Sequence, residues 1–200
     1  MNAKPRGSQQ VKVALVAAAV RLLGQRPPHQ ISGRKLAEEA GVNYGLVHHY
    51  FGSKEVLLQA GLADLASSFA EGPIDESWSS DEPFSIRHRM DYLRALTFSS
   101  ISGELEGLST VHPVIEDSLK KVSVLRGKGQ DSNEQTLIDV AVGTLFQLGW
   151  SLFEQRVLPG FAFDKEEEAE FEKRLRATLR AIMLDGDVAK ATQATLHGKS

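Results

Sequence analysis

The stretch Ser32–Lys54 reads SGRKLAEEAGVNYGLVHHYFGSK, and its punctuation decides the fold. Ser32 is a good N-cap for a short helix over Gly33–Ala40. Gly41 is placed to end that helix in a left-handed conformation. Asn43 caps a second short helix, Tyr44–Tyr50. Gly52-Ser53 breaks the chain, and Ser53 caps a longer helix from Lys54 to about Ala70. Two short helices joined by a glycine-containing turn form a helix-turn-helix. Such helices cross steeply, so the first needs a small residue at the crossing, which Ala37 supplies. Leu36, Val42, Val47 and Phe51 supply the apolar lock to a further helix. Val47 and Phe51 are four apart and share the inward face.

Tyr44, Gly45, His48 and His49 are left facing out, as two i, i+4 pairs. This is the face that enters a major groove. Gly45 lets the backbone approach DNA closely. Tyr44, His48 and His49 reach base edges or phosphates. Ser32 and the free amides at Gly33 suit a phosphate. Arg34 suits a guanine or a phosphate. Lys54 and Tyr50 are phosphate clamps, and Asn43 and Leu46 complete the candidate DNA-binding set. His48-His49 as a metal pair is disfavoured, because adjacent helical residues point about 100° apart. No metal and no cofactor are expected.

Leu36–Leu58, LAEEAGVNYGLVHHYFGSKEVLL, with the amphipathic helix before it, resembles the DNA-binding domain of the tetracycline-repressor (TetR) family of bacterial transcription regulators. The resemblance covers residues 11–62. It implies a homodimer of all-helical subunits, with three N-terminal helices for DNA, a fourth as a lever, and a divergent C-terminal domain for ligand and dimerisation. Family members commonly carry Thr where Leu46 stands and Tyr where His48 stands, both used on the DNA backbone. A Lys or similar often stands at Tyr44. A borrowed operator sequence therefore does not transfer.

Outward from this motif the chain reads as helix after helix, giving an all-α fold of about nine helices. Val11, Leu15, Ala18 and Leu22 make one face of a helix over about Gln9–Gly24, and Pro27-Pro28 stops it. The run Val13–Val20 is too short for a bilayer, which needs about 20 residues. Its basic flank has a faint signal-peptide look, but an amphipathic helix of a cytoplasmic, non-membrane protein is the reading adopted. Glu71–Glu82, rich in Gly, Pro, Ser and Asp, marks a linker. Further helices are expected at about Phe84–Ser102, Pro113–Arg126, Ser132 to about Val157 behind a Ser132-x-x-Gln135 capping box, and Asp164 to about Leu184 behind Asp164-x-x-Glu167. The expected division is a DNA-binding domain over 1–53, a connecting helix over 54–71 and a ligand-binding and dimerisation domain over 72–200.

On the last two helices, Ala141, Leu145, Leu148 and Leu152, with Leu175, Leu179 and Ile182, are candidates for a four-helix dimer interface. Aromatic residues cluster in the same half. His88, Tyr92, Phe98, His112, Phe146, Gln147 and Trp150 are candidate pocket residues for a small effector. No cationic cluster accompanies them, which favours an uncharged, apolar ligand. Satisfied core histidines compete with the pocket reading of His88 and His112. Glu166–Glu168 read as a solvated first turn rather than a cation site.

The 200 residues carry 23 Lys and Arg against 26 Asp and Glu, a net charge of −3. That balance alone argues against a nucleic-acid binder, but it is unevenly spread. Through Glu71 there are eight basic and five acidic residues, net +3; beyond it there are 15 and 21, net −6. A basic head on an acidic body points one end at DNA. The absence of cysteine excludes a disulfide framework, a thiol nucleophile and a thiol redox switch. An all-α enzyme finds little support. His88, His112, Glu104 and Glu116 are acid–base candidates, but no nucleophile is paired with a base at recognisable spacing. The sequence therefore points to a ligand-released repressor, homodimeric on an inverted-repeat operator in double-stranded DNA, with an activator or ligand-independent regulator of the same fold as the alternative.

Overall fold

The computed structural model describes residues 7–70, 89–102, 113–126 and 134–185. Among the described residues there are eight α-helices and no strand. They fall into two compact units, residues 7–70 with 89–102, and residues 113–126 with 134–185. This grouping does not follow the sequence-order division at 53 and 71. The helix over 90–102 packs with the N-terminal helices although it lies in the 72–200 segment.

In the first unit, α1 spans Ser8–Leu23, α2 Gly33–Ala40, α3 Gly45–Phe51, α4 Lys54–Ala70 and α5 Met90–Ser102. The buried face of α1 is Val11, Leu15, Ala18 and Leu22, joined by Ala19 and Leu23. A 3-10 turn over Pro28–Gln30 follows the proline stop. The cap of α2 is the Ser32 hydroxyl, which accepts from the Lys35 amide at 3.1 Å. Gly41 ends α2 at φ 68°, and its amide reaches back to the last turn. That left-handed step lets the chain reverse within the space of the turn.

Leu57, Leu58, Leu62, Leu65 and Ala66 on α4 are buried, as are Tyr92, Leu93 and Ala95 on α5. Both helices pack against α1. Burying each such leucine contributes roughly 1.5–3 kcal/mol, which offsets the ordering entropy of short helices that are unstable alone. Gly61 sits where α4 meets α1. A Cβ there would fall 2.7 Å from the Ala19 Cβ and 3.2 Å from the α1 backbone. The helices touch backbone to backbone, so the position has no flexible neighbour to yield.

The second unit contains α6 (Pro113–Leu125), α7 (Glu134–Val157) and α8 (Lys165–Arg180). A 3-10 turn, Leu158–Phe161, separates α7 from α8, and a π-turn, Ala181–Asp185, follows α8. The Asp164 capping box is complete. Asp164 Oδ1 accepts from the Glu166 and Glu167 amides, while Glu167 accepts from the Asp164 amide at 2.9 Å. Ser132 lies outside the described residues. Its expected partner Gln135 donates to Asp139 Oδ1 at 2.8 Å.

Val122, Val140, Leu179 and Met183 form the core of this unit. Beside it Arg126 and Asp139 make a buried ion pair at 2.7 Å, each side chain 5% exposed. The same guanidinium donates to Thr136 Oγ1 and to the carbonyls of Ile182 and Met183. It thereby ties the end of α6 to the π-turn.

The inward row of α7 includes Thr136, Asp139, Val140, Gly143 and Ser151. A different row, Ile138, Val142, Leu145 and Phe153, is exposed, Leu145 at 70%. The stretch Glu134–Phe161 is long and apolar enough to cross a membrane by length and composition. The row that it buries includes the polar residues Thr136, Asp139 and Ser151.

Gly61→Ala is expected to destabilise the protein by about 1–3 kcal/mol in urea unfolding followed by circular dichroism, because rigid atoms must shift. Gly149→Ala, which would meet nothing within 4 Å, should instead leave stability unchanged or raise it by up to about 1 kcal/mol.

Candidate nucleic-acid interface

The seven residues of α3 bury only one side chain completely, Val47. The helix packs against α1, α2 and α4. Asn43, Tyr44, Gly45, His48 and His49 are left exposed. The expected capping contact of Asn43 is present, although the helix begins one residue later than expected. Asn43 Oδ1 accepts from the Gly45 amide at 2.9 Å, closing the turn, and the helix begins at Gly45 with Tyr44 as the flanking residue.

Tyr44 is held on two sides. A Cβ added at Gly33 would lie 2.8 Å from Tyr44 Cε2, so the tyrosine ring rests directly on the first residue of α2. Gly33 therefore serves to admit this ring as well as to present an amide. The Tyr44 hydroxyl lies 2.9 Å from His48 Nε2, and the two rings meet edge to face. His48 Nδ1 lies 3.0 Å from the Gly52 carbonyl oxygen. The sequence shows this chain only as a spacing, with 44, 48 and 52 each one helical turn apart.

The remaining candidates are spread around α3. His49 and Tyr50 rings meet edge to face at 4.6 Å. The Lys12 ammonium of α1 stands 5.6 Å from the centre of the Tyr50 ring, a cation–π contact. Sequence reasoning missed Lys12. Its signal was a cation off the buried face of α1. Tyr50 and Leu46 are half-buried, while Arg34 is exposed. The Ser32 hydroxyl is engaged in capping α2, so a phosphate there would rely on the backbone amides of α2's first turn. Lys54 lies 3.5 Å from Glu55. The Glu55 carboxyl is held below the usual carboxylate range by its own backbone amide, the Ser53 hydroxyl and the Lys54 charge. Arg21 and Glu39, paired at 2.7 Å, clamp α1 to α2 on the exposed side.

The candidate effector residues divide between the two units. Tyr92 and Phe98 lie on α5 in the first. Tyr92 is fully buried, and burial pushes its hydroxyl pKa upward. Phe146, Gln147 and Trp150 lie on α7 in the second. There Phe146 stacks on Trp150, and Trp150, Phe161 and Phe163 gather around Phe171. Gln147 donates to Met183 Sδ at 3.6 Å, and the Trp150 indole N–H is buried with no acceptor among the described residues. His88 and His112 lie outside the described residues. An open groove of about 680 Å³ runs along α8, lined by Phe163, Phe171, Glu166, Glu170 and Arg174 among others, and involves none of the candidate effector residues.

Of the candidate interface residues, Ala141 and Leu145 are exposed, and Leu148, Leu152, Leu175 and Ile182 are half-buried. Leu179 is in the core of its own unit, where it packs with Val122 and Met183, and so is not free for a second subunit. Among the described residues no three His, Asp or Glu side chains gather as metal ligands.

The family model for bacterial regulatory proteins of the tetR family matches residues 15–60, from within α1 into α4. The HTH-type transcriptional repressor Rv3405c of Mycobacterium tuberculosis (strain ATCC 25618 / H37Rv) is 30% identical over 154 residues, 74% of this chain and 76% of that protein. The chain belongs to the tetR family. Another relative of this tetR-family protein, the HTH-type transcriptional regulator BetI of Brucella canis, is 27% identical over 124 residues, 60% of this chain and 61% of its own. A tetR-family transcriptional regulator from Streptomyces coelicolor, known from its crystal structure, shares the fold. Its TM-score is 0.52 at 17% identity, covering 97% of this chain and 86% of that one. This chain is thus a DNA-binding transcriptional regulator of the tetR family.

Gly33→Ala should leave the fold intact within about 1 kcal/mol, since the ring tip can swing away. It should weaken specific DNA binding about tenfold, because Tyr44 no longer holds its place. Fluorescence anisotropy on one selected duplex, beside thermal unfolding of both proteins, separates the two effects.

Proposed function

We propose that this tetR-family regulator is a cytoplasmic, homodimeric repressor that binds an inverted-repeat operator and is released by a small apolar effector. The observation that carries the DNA-binding half is the two-faced α3. One side chain is buried to fix the helix, and five positions from Asn43 to His49 are exposed. Such a helix fits a major groove, with Arg34, Lys54 and the first turn of α2 flanking it on the phosphates. In this reading residues 1–53 carry the DNA contacts, 54–71 connect, and 72–200 bind effector and partner. The chain works by binding and not by catalysis.

The dimer reading rests on the exposed row of α7. Ile138, Val142, Leu145 and Phe153 recur at helical spacing, with Ala141 and Gly149 between them. A second copy of the same row would bury it and fix the distance between two α3 helices, which an inverted repeat then matches. An effector with higher affinity for a different spacing lowers operator affinity by its differential binding free energy. The aromatic side chains of α7 and the absence of a cationic cluster in the sequence favour an uncharged effector.

Two variants test the two halves. Lys54→Ala should weaken binding to all duplexes alike and reduce the slope of log affinity against log salt by about one. Leu145→Asp should yield monomers in sedimentation equilibrium and abolish tight binding to an inverted repeat, with helical content unchanged. Unchanged salt dependence in the first, or a persistent dimer in the second, contradicts the corresponding half.

A further inference from the structure

The hydrogen-bond chain from Tyr44 to Gly52 has a fixed direction. A carbonyl oxygen only accepts, so the 3.0 Å contact to Gly52 places the proton on His48 Nδ1. In the neutral imidazole the other nitrogen then has a lone pair and no proton. At 2.9 Å that nitrogen accepts from the Tyr44 hydroxyl. The only proton of the phenol is thus turned inward along the helix. What Tyr44 presents outward is an oxygen lone pair.

We propose that Tyr44 reads an exocyclic amino group in the major groove, the N6 amine of adenine or the N4 amine of cytosine, and takes no part in holding phosphates. This rests on the reading of α3 as the element that lies in the groove. The chemistry of the partner follows from the direction of the chain. Phosphate oxygens and the guanine O6, guanine N7 and thymine O4 atoms all accept, and none can bond to a lone pair. Adenine and cytosine are the two bases that present a donor on that edge. The position of the oxygen is fixed from both ends. Gly33 admits the ring at van der Waals contact, and His48 is itself anchored at the C-cap of α3 by Gly52. Tyr44 is 42% exposed, with Asn43, Gly45, His48 and His49 exposed beside it. His48 is here a positioning residue: it sets the polarity of the Tyr44 hydroxyl.

Selection of bound duplexes from a random pool, with the full-length protein at pH 8, gives the half-site preferences of the parent and of Tyr44→Phe. The parent should show a position per half-site restricted to adenine or cytosine. Tyr44→Phe should lose that preference five- to tenfold and keep the others. A second measurement uses the parent's own duplex with the amino group deleted at that position, purine for adenine or 2-pyrimidinone for cytosine. The parent should lose the same five- to tenfold in affinity, and Tyr44→Phe should lose nothing further. The proposal is overturned if Tyr44→Phe retains every preference or binds all sequences uniformly more weakly. It is equally overturned if the lost preference is for guanine or thymine, or if deletion of the amino group weakens both proteins alike. If the parent itself selects no sequence, the reading of α3 as a groove-binding helix fails instead.

Discussion

The interface depends on one dry junction. Leu15 and Leu23 of α1, Leu36 of α2, Val47 of α3, and Leu57 and Leu58 of α4 are each less than 2% exposed. A helix of seven residues has no stability of its own. The orientation of α3 is therefore set entirely by what Val47 and its half-buried neighbours meet beneath it. Gly41 makes the junction possible by reversing the chain in a left-handed step, and Ala37 keeps the crossing close. Loosening this contact would leave the exposed face of α3 chemically intact but aimed nowhere in particular.

On that fixed base, charge and hydrogen-bond direction divide the labour. The net +3 of the first 71 residues favours attraction to any duplex, while the rest of the chain carries a net −6. Discrimination among sequences requires groups whose donors and acceptors are fixed before DNA arrives. Tyr44 and His48 meet that requirement because each is committed to a partner within the same unit. In the second unit, the Arg126–Asp139 pair has a comparable fixing role for the end of α6 and the π-turn. Burying two charges is costly, and it is sustained there by four hydrogen bonds to the guanidinium.

The helix-turn-helix was legible because its demands are local. Ser32 as a cap, Gly41 at positive φ, the buried face of α1 and the Asp164 capping box all follow from short-range backbone chemistry. The first helical residue of α3 is Gly45, one later than the sequence pattern suggests, while Asn43 still accepts from that first turn. The role of Gly33 was only half legible. Its close approach to Tyr44 is a tertiary contact between residues eleven apart, and nothing in the local pattern announces it. Leu179 falls on an apolar stripe that the sequence cannot divide between core and interface. The structure assigns it to the core because Met183, let in by Gly143, closes over that end of α8. The effector residues were the least legible, since aromatic content alone does not distinguish a lining from a filled interior.

The central claim is that a pair of α3 helices, held at a fixed spacing, reads a two-fold symmetric site. Hydroxyl-radical footprinting of the full-length protein on its selected duplex measures this directly. The account predicts two protected backbone patches related by a dyad, with their centres separated by a helical turn or more. A single asymmetric patch, or uniform protection along the duplex, would contradict it.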